Sequence, residues 1–455
     1  MSRIDTDICV IGAGSGGLSV AAGAVQMGAR VVLIEAGEMG GDCLNTGCVP
    51  SKALLHAGAA GMSWDEAHDH VRATIAAIAP HDSVERFEGL GVTVIKGFAR
   101  FVGPREVAVA GRVVRARRIV IATGARPRVP DIPGLPDVPY LTNETIFDLP
   151  EKPDHLLVLG GGPIGMEMAQ AHRRLGCEVT VIEPFTALGR DDPEAAALVL
   201  EALKAEGIRL IEGVDPVRVS TGAGGIEVVT GDGQSFTGSH LLVATGRQVT
   251  VDGLDLDKAG IEASASGVKV DAGLRTTNRR VYAIGDVAGG MQFTHVAGYQ
   301  SGVIVRSMLF GLPAKAKTTH IPRVTYTTPE LAQVGMTEAD ARAEHGDRVE
   351  VVRADFSGND RALATRQTTG FLKVMVLKGR PIGATIIGPN AGEQIALWAL
   401  ALSSGLKMSA IAGMVVPYPT MSEISKRAAG AYFSPRLFDN PNVKRLVRAV
   451  QRFVP

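Results

Sequence analysis

Two of the chain's four cysteines, Cys43 and Cys48, are separated only by Leu44-Asn45-Thr46-Gly47, and Val49-Pro50-Ser51-Lys52 follows directly. A four-residue spacer lets the chain loop back, so the two sulfurs can close a disulfide and reopen as a dithiol. Pro50 suits the first turn of a helix, where the N–H it lacks would have no partner anyway. Cys48 then stands at a helix N-terminus, where free amides and the macrodipole favour a thiolate. Lys52, one turn further on, adds positive charge nearby. These types at this spacing support thiol–disulfide exchange, and a redox-active dithiol needs an electron source and an acceptor.

Two stretches of the chain are built to hold such a source. Asp7-Ile-Cys-Val-Ile-Gly12 reads as a buried strand running into Gly12-Ala13-Gly14-Ser15-Gly16-Gly17, then a helix from Leu18 to Met27, then a strand from Arg30 that closes on Glu35. Strand, glycine turn, helix and acid-ended strand together form the dinucleotide fingerprint. Gly12 makes the turn, Gly14 lets the backbone approach a pyrophosphate, Gly17 allows close helix–strand packing, and Glu35 can accept ribose hydroxyls. The pattern recurs with Gly160, Gly162, Gly165 and Glu183. Each copy later reaches an Ala-Thr-Gly, at Thr123-Gly124 and at Thr245-Gly246. The first glycine-to-alanine interval is 110 residues (12 to 122) and the second 84 (160 to 244), so the first copy is 26 longer. The dithiol lies inside that longer copy, which makes it an insertion. Two Rossmann-like domains imply two dinucleotides.

The rest of the chain narrows the class. Lys+Arg and Asp+Glu balance at 47 each, which gives no argument for nucleic acid or an anionic membrane surface. No run of about 20 apolar residues is present. Ser2-Arg3-Ile4-Asp5 leads straight into a strand pattern with no signal-peptide regions, so the expectation is a cytoplasmic enzyme, where disulfides are catalytic rather than staples. Trp64-Asp-Glu-Ala-His68-Asp-His70 is expected to be a solvated helix face, with no metal site. Cys9 and Cys177 read as small buried residues. The proline-rich stretch 126–136 is a plausible domain connection. From Ile321 the pattern changes to a mixed α+β block without a fingerprint of its own.

Together these features resemble the flavin disulfide reductases, a family that includes dihydrolipoamide dehydrogenase, glutathione reductase and mercuric reductase, from Ile8 to about Phe433. The resemblance implies an α/β fold with two Rossmann-like domains and a C-terminal α+β dimerisation domain. Residues 1–150, completed by 277–320, would bind FAD; 151–276 would bind NAD(P); 321–455 would form the interface of a homodimer. The first fingerprint with Glu35 would hold the ADP half of FAD and Asp286 its ribityl chain, while Ala99, Thr123, Gly124 and Thr294 match other FAD-contacting positions. Gly160, Gly162, Gly165, Glu183 and Gly246 would serve the nicotinamide cofactor. Glu183 favours NAD(H) over NADP(H), because a carboxylate accepts two ribose hydroxyls but repels a 2′-phosphate. Cys48 would face the flavin, Cys43 would be the outer sulfur, and Lys52 would sit near the flavin paired with Glu167.

One position departs from the pattern. Disulfide-reducing members carry His-Pro-Thr-x-x-Glu near the C-terminus, and here the segment is Tyr418-Pro-Thr-Met-Ser-Glu423. A tyrosine of ordinary pKa, about 10, is a poor base near neutrality. Tyrosine here resembles mercuric reductase, as do Ile321 to Gly335 and Arg361-Ala-Leu-Ala. That enzyme, however, receives its metal on a C-terminal cysteine pair, and this chain has no cysteine after Cys177. The expected activity is electron transfer from NAD(P)H through FAD to Cys43–Cys48 and on to a disulfide or other acceptor. The alternatives are a metal-ion or quinone reductase that needs no histidine base, or an electron-supplying partner of another thiol protein.

Overall fold

The computed structural model describes residues 2–222 and 224–454, in two compact units: one runs to Phe185 and resumes over Gly207–Lys317, and the other takes Thr186–Glu206 and the chain from Thr318. The first unit is built on two parallel sheets. In one, Thr93–Lys96, Val31–Glu35, Ser2–Ile11 and Arg112–Ile121 lie side by side, and Val281–Ala283 joins the last of them in parallel. The antiparallel strands Glu106–Val109 and Arg100–Gly103 extend this sheet. Runs such as Val31-Val32-Leu33-Ile34 are buried throughout, as strands covered on both faces must be.

The second sheet repeats the design, in the order Arg209–Glu212, Glu178–Glu183, His155–Leu159, His240–Val243 and Tyr140–Leu141, all parallel. Each sheet carries a helix straight after its glycine turn, Ser15–Gln26 in one and Pro163–Arg174 in the other. The two Ala-Thr-Gly turns run into Ala125–Pro127 and Arg247–Val249, which pair as a two-stranded antiparallel ribbon. The extra length of the first copy is three helices, Gly41–Asn45, Cys48–Ala59 and Trp64–Ile78, set between its second and third strands.

The second unit is a five-stranded antiparallel sheet, Pro322–Thr325, Glu330–Gly335, Arg380–Gly388, Phe371–Leu377 and Val349–Asp355, in that order. Helices Ala391–Ser403 and Glu423–Phe438 contribute to its core around the fully buried Trp398, whose indole N–H donates to Ser425 Oγ at 3.1 Å. Helix Pro193–Ala205, which lies inside 151–276 by sequence, belongs to this unit, and its N-cap Asp192 accepts from the buried Lys373 Nζ at 3.1 Å. Among the described residues no helix is long and apolar enough to cross a membrane.

Candidate active site

Cys48 is the first residue of helix Cys48–Ala59, behind Gly47, and no side chain caps that helix end. Pro50 falls in its first turn, and Leu54, Leu55 and Ala57 bury its far side. Cys43 lies in the short helix Gly41–Asn45, where Asn45 Nδ2 donates to the carbonyls of Gly41 (2.8 Å) and Met39 (3.0 Å) and so holds the turn. Both cysteines are free thiols. Cys48 Sγ lies 3.6 Å from Thr294 Oγ1, at the start of helix Thr294–Phe310.

The pair is electrostatically unequal. The hydrogen bond from the Cys43 thiol draws the Cys48 pKa down to about 6; the Thr294 hydroxyl and the Lys52 charge add to this, and burial opposes it. Cys43 is pushed up, first by that same hydrogen bond, then by burial and the neighbouring thiolate. Near neutrality one proton is held on Cys43 and the negative charge sits on Cys48.

Lys52, one turn into the same helix, donates from Nζ to Glu167 Oε2 at 2.7 Å and lies 3.4 Å from Ser51 Oγ. Glu167 comes from the helix after the second glycine turn, and its side chain is only 5% exposed. On the Cys43 side, Asp42 Oδ1 accepts from Thr46 Oγ1 (2.7 Å) and Asn143 Nδ2 (2.9 Å), while Oδ2 pairs with the Arg247 guanidinium at 2.7 Å. Arg247 also lies 3.4 Å from Asp286 Oδ2 and donates to the Ala125 carbonyl at 2.6 Å. Burial raises the Asp286 pKa, and the arginine works against that rise.

Both glycine turns fit a dinucleotide, and they do so in duplicate. Gly12 and Gly160 take φ of +103° and +112°, and a Cβ on either would run into the carbonyl oxygen of Ala122 or Ala244. A Cβ on Gly17 or Gly165 would strike the carbonyl oxygen of Gly12 or Gly160. Gly14 and Gly162 differ: a Cβ there would meet nothing within 4 Å. The middle glycine of each turn therefore faces open space at an uncapped helix N-terminus, whose amides suit a pyrophosphate. Glu35 Oε2 accepts from Ala13 N at 2.5 Å and Glu183 Oε2 from Gly161 N at 2.6 Å, so each acid is fixed beside its turn with lone pairs to spare.

Residues 6–301 match the family model of pyridine nucleotide-disulphide oxidoreductases, and residues 321–429 match the dimerisation domain of the same family. The chain belongs to this family. It is an oxidoreductase of a family that uses FAD and a pyridine nucleotide. A mercuric reductase of Bacillus cereus is 37% identical over 448 residues, covering 93% of this chain and 71% of that protein. A dihydrolipoyl dehydrogenase of Thermus scotoductus is 36% identical over 453 residues, covering 93% and 97%. Among solved structures, the HOCl-induced flavoprotein disulfide reductase RclA from Escherichia coli matches with a TM-score of 0.87 at 30% identity, over 93% of this chain and 99% of that one.

In this family member the first unit brings together Cys43, Cys48, Lys52, Glu167 and Thr294, and it carries both glycine turns, Glu35, Glu183 and Asp286. Thr123 Oγ1 donates to the Thr250 carbonyl at 2.6 Å, Gly124 and Gly246 take positive φ, and Ala99 is buried behind strand Thr93–Lys96. Tyr418 and Glu423 belong to the other unit. Tyr418 is 71% exposed and its hydroxyl donates to Asp360 Oδ2 at 2.9 Å, which raises its pKa. Glu423 opens helix Glu423–Phe438. Among the described residues no group of three or more His, Cys, Asp or Glu is placed to hold a metal ion.

Two features escaped the sequence reading. Asp42 and Arg247 are brought together only by the fold, and the one local hint was an arginine directly after the second Ala-Thr-Gly. The solvated face expected over 64–70 holds at Asp65, Glu66 and Asp69, which are exposed, but not at His68. His68 is buried, with Trp64 tilted against it at 4.3 Å between ring centroids. It lies three residues before Val71, one helical turn along the buried stripe.

Proposed function

We propose that this chain is an FAD-dependent NAD(P)H oxidoreductase that drives a Cys43–Cys48 disulfide/dithiol couple and passes electrons from it to an external acceptor. The observation that carries this reading is the placement of the dithiol: Cys48 opens a helix with its sulfur 3.6 Å from Thr294 Oγ1, and Cys43 lies in the short helix just before it, in the same unit as two dinucleotide turns. FAD, when bound, supplies the two-electron relay between a nicotinamide hydride and the disulfide. The first turn with Glu35 would hold its ADP half, and Asp286, Thr294, Thr123, Gly124 and Ala99 would line the remainder. Gly160, Gly162, Gly165 and Gly246 would hold the nicotinamide cofactor, with Glu183 selecting NAD(H) through its ribose hydroxyls.

Each residue of the dithiol site then has a task. Cys48 keeps its charge near neutrality and would be the sulfur that faces the flavin. Cys43, holding the shared proton, is the outer sulfur that exchanges with the acceptor once that proton leaves. Lys52, kept in place by Glu167, supports the thiolate. Asp42, held by Arg247, Thr46 and Asn143, fixes the turn that presents Cys43. We place the working enzyme as a homodimer through its family dimerisation region, in the cytoplasm, where dithiols are maintained.

Tyr418 shapes the choice of acceptor. A phenol whose pKa is raised by a carboxylate donates a hydrogen bond and does not take a proton near neutrality. That favours acceptors that need no histidine base, such as a metal ion or a quinone, over dihydrolipoamide or glutathione disulfide. The test is an anaerobic NADH and NADPH titration of the FAD-loaded protein, followed by turnover with a panel of disulfides, Hg(II) and quinones. NADH should develop a long-wavelength thiolate–flavin band that Cys48→Ser removes. Persistence of that band in Cys48→Ser defeats the assignment of Cys48.

A further inference from the structure

The final helix, Pro441–Phe453, follows the family dimerisation match, which ends at residue 429. It is strongly amphipathic. At 3.6 residues per turn, Val443, Leu446, Val447, Val450, Phe453 and the following Val454 fall within an arc of about 120°. Lys444, Arg445, Arg448 and Arg452 fall on the opposite side, and residues 441–454 contain no Asp or Glu. Asn440 caps the helix by accepting from Asn442 N at 2.9 Å, so its start is fixed locally. Yet no residue of this helix is buried: Leu446 is 65% exposed and Phe453 76%. Leu437 and Phe438, at the end of the preceding helix, are also exposed.

Chain-wide charge balance hides this local pattern, because four cations on one short helix vanish into totals of 47 and 47. Pairing the apolar stripe with a second copy of itself would cover the stripe but leave the four cations on the far side with no carboxylate to answer them. The helix is a good match for a surface that is apolar inside and anionic outside. We propose that helix Pro441–Phe453 docks the protein on an anionic lipid surface. Val443, Leu446, Val447, Val450 and Phe453 would enter the acyl boundary, and Lys444, Arg445, Arg448 and Arg452 would reach the headgroups. This revises the expectation of no membrane partner and is independent of the electron acceptor.

The test is co-sedimentation of the full-length, FAD-loaded protein with phosphatidylcholine vesicles, with and without phosphatidylglycerol. Phosphatidylglycerol should raise the bound fraction about tenfold or more, and added salt should reverse the gain. Leu446→Glu/Phe453→Glu should abolish binding, and Arg448→Glu/Arg452→Glu should abolish the preference for phosphatidylglycerol, with NADH oxidation and melting temperature unchanged in both. Equal binding to neutral and anionic vesicles, or none to either, overturns the proposal. So does a drop in solution mass of the lipid-free protein on Leu446→Glu/Phe453→Glu, because that assigns the face to a second copy of the chain.

Discussion

Lys52 Nζ stands 2.7 Å from Glu167 Oε2 and ties the helix that starts at Cys48 to the helix that follows the second glycine turn. The two partners are not equally placed: the Glu167 side chain is almost wholly buried, and Lys52 is about one-third exposed. Lys52→Met takes the ammonium away from a buried carboxylate and should cost about 3 kcal/mol, the low end for breaking a buried pair. Glu167→Gln leaves an ammonium that can turn to solvent and should cost about 1 kcal/mol or less. Urea unfolding of the two variants measures the difference, and equal losses would contradict this asymmetry.

The three glycines of the first turn should fail in different ways. Gly17→Ala drives a Cβ into the Gly12 carbonyl and should destabilise the fold by about 3 kcal/mol. Gly14→Val adds bulk in open space on extended backbone, so the protein should fold with a loss of about 1 kcal/mol. Its bound FAD, read from flavin absorbance per chain, should nonetheless fall sharply, because the added side chain occupies the approach to the pyrophosphate. Full flavin content in Gly14→Val would move the cofactor elsewhere.

Cys48 gives a pH signature. Its folded pKa of about 6 lies below the ordinary thiol value of about 8.5, so its ionised form is the stabilised one. The stability it contributes is complete above the ordinary value and is lost as pH falls through about 6. Cys43, whose pKa is raised, stays protonated in both folded and unfolded chains below the ordinary value and adds no slope in that window. Iodoacetamide labelling of Cys48 in the reduced protein, read by mass spectrometry, should therefore rise with a midpoint near pH 6. Cys43→Ala removes the largest cause and should move that midpoint upward most, followed by Thr294→Val and then Lys52→Met.

Short-range grammar made much of the site readable in the sequence. Gly12, Gly14, Gly17 and Glu35 fall within 24 consecutive residues, and their copy at Gly160, Gly162, Gly165 and Glu183 spans the same length. Cys48 and Pro50 announce a helix start by themselves. The Lys52–Glu167 pair came from family resemblance, since nothing local links the two positions. Arg247 with Asp42 and Asp286 had no such guide, because three carriers of charge distant in sequence meet only after the sheets and the ribbon Ala125–Pro127/Arg247–Val249 have formed. His68 departs from its exposed neighbours Asp65, Glu66 and Asp69 because the helical period places it one turn from Val71 on the inner stripe.

Tyr418 is where chemistry and sequence diverge most, and a single substitution tests its meaning. Its hydroxyl is committed to Asp360, which Arg427 also holds through Oδ1 at 3.2 Å, so Tyr418 is kept as a hydrogen-bond donor. Tyr418→His replaces it with a side chain that exchanges a proton near neutrality. Oxidation of dihydrolipoamide by the FAD-loaded variant should exceed that of the parent by roughly tenfold or more, since a positioned base contributes at least that much. Tyr418→Phe should leave the parental dihydrolipoamide rate unchanged, because the hydroxyl takes no proton. A variant Tyr418→His that folds, binds FAD and still shows the parental rate would mean that proton removal at this position does not limit dihydrolipoamide oxidation by this chain.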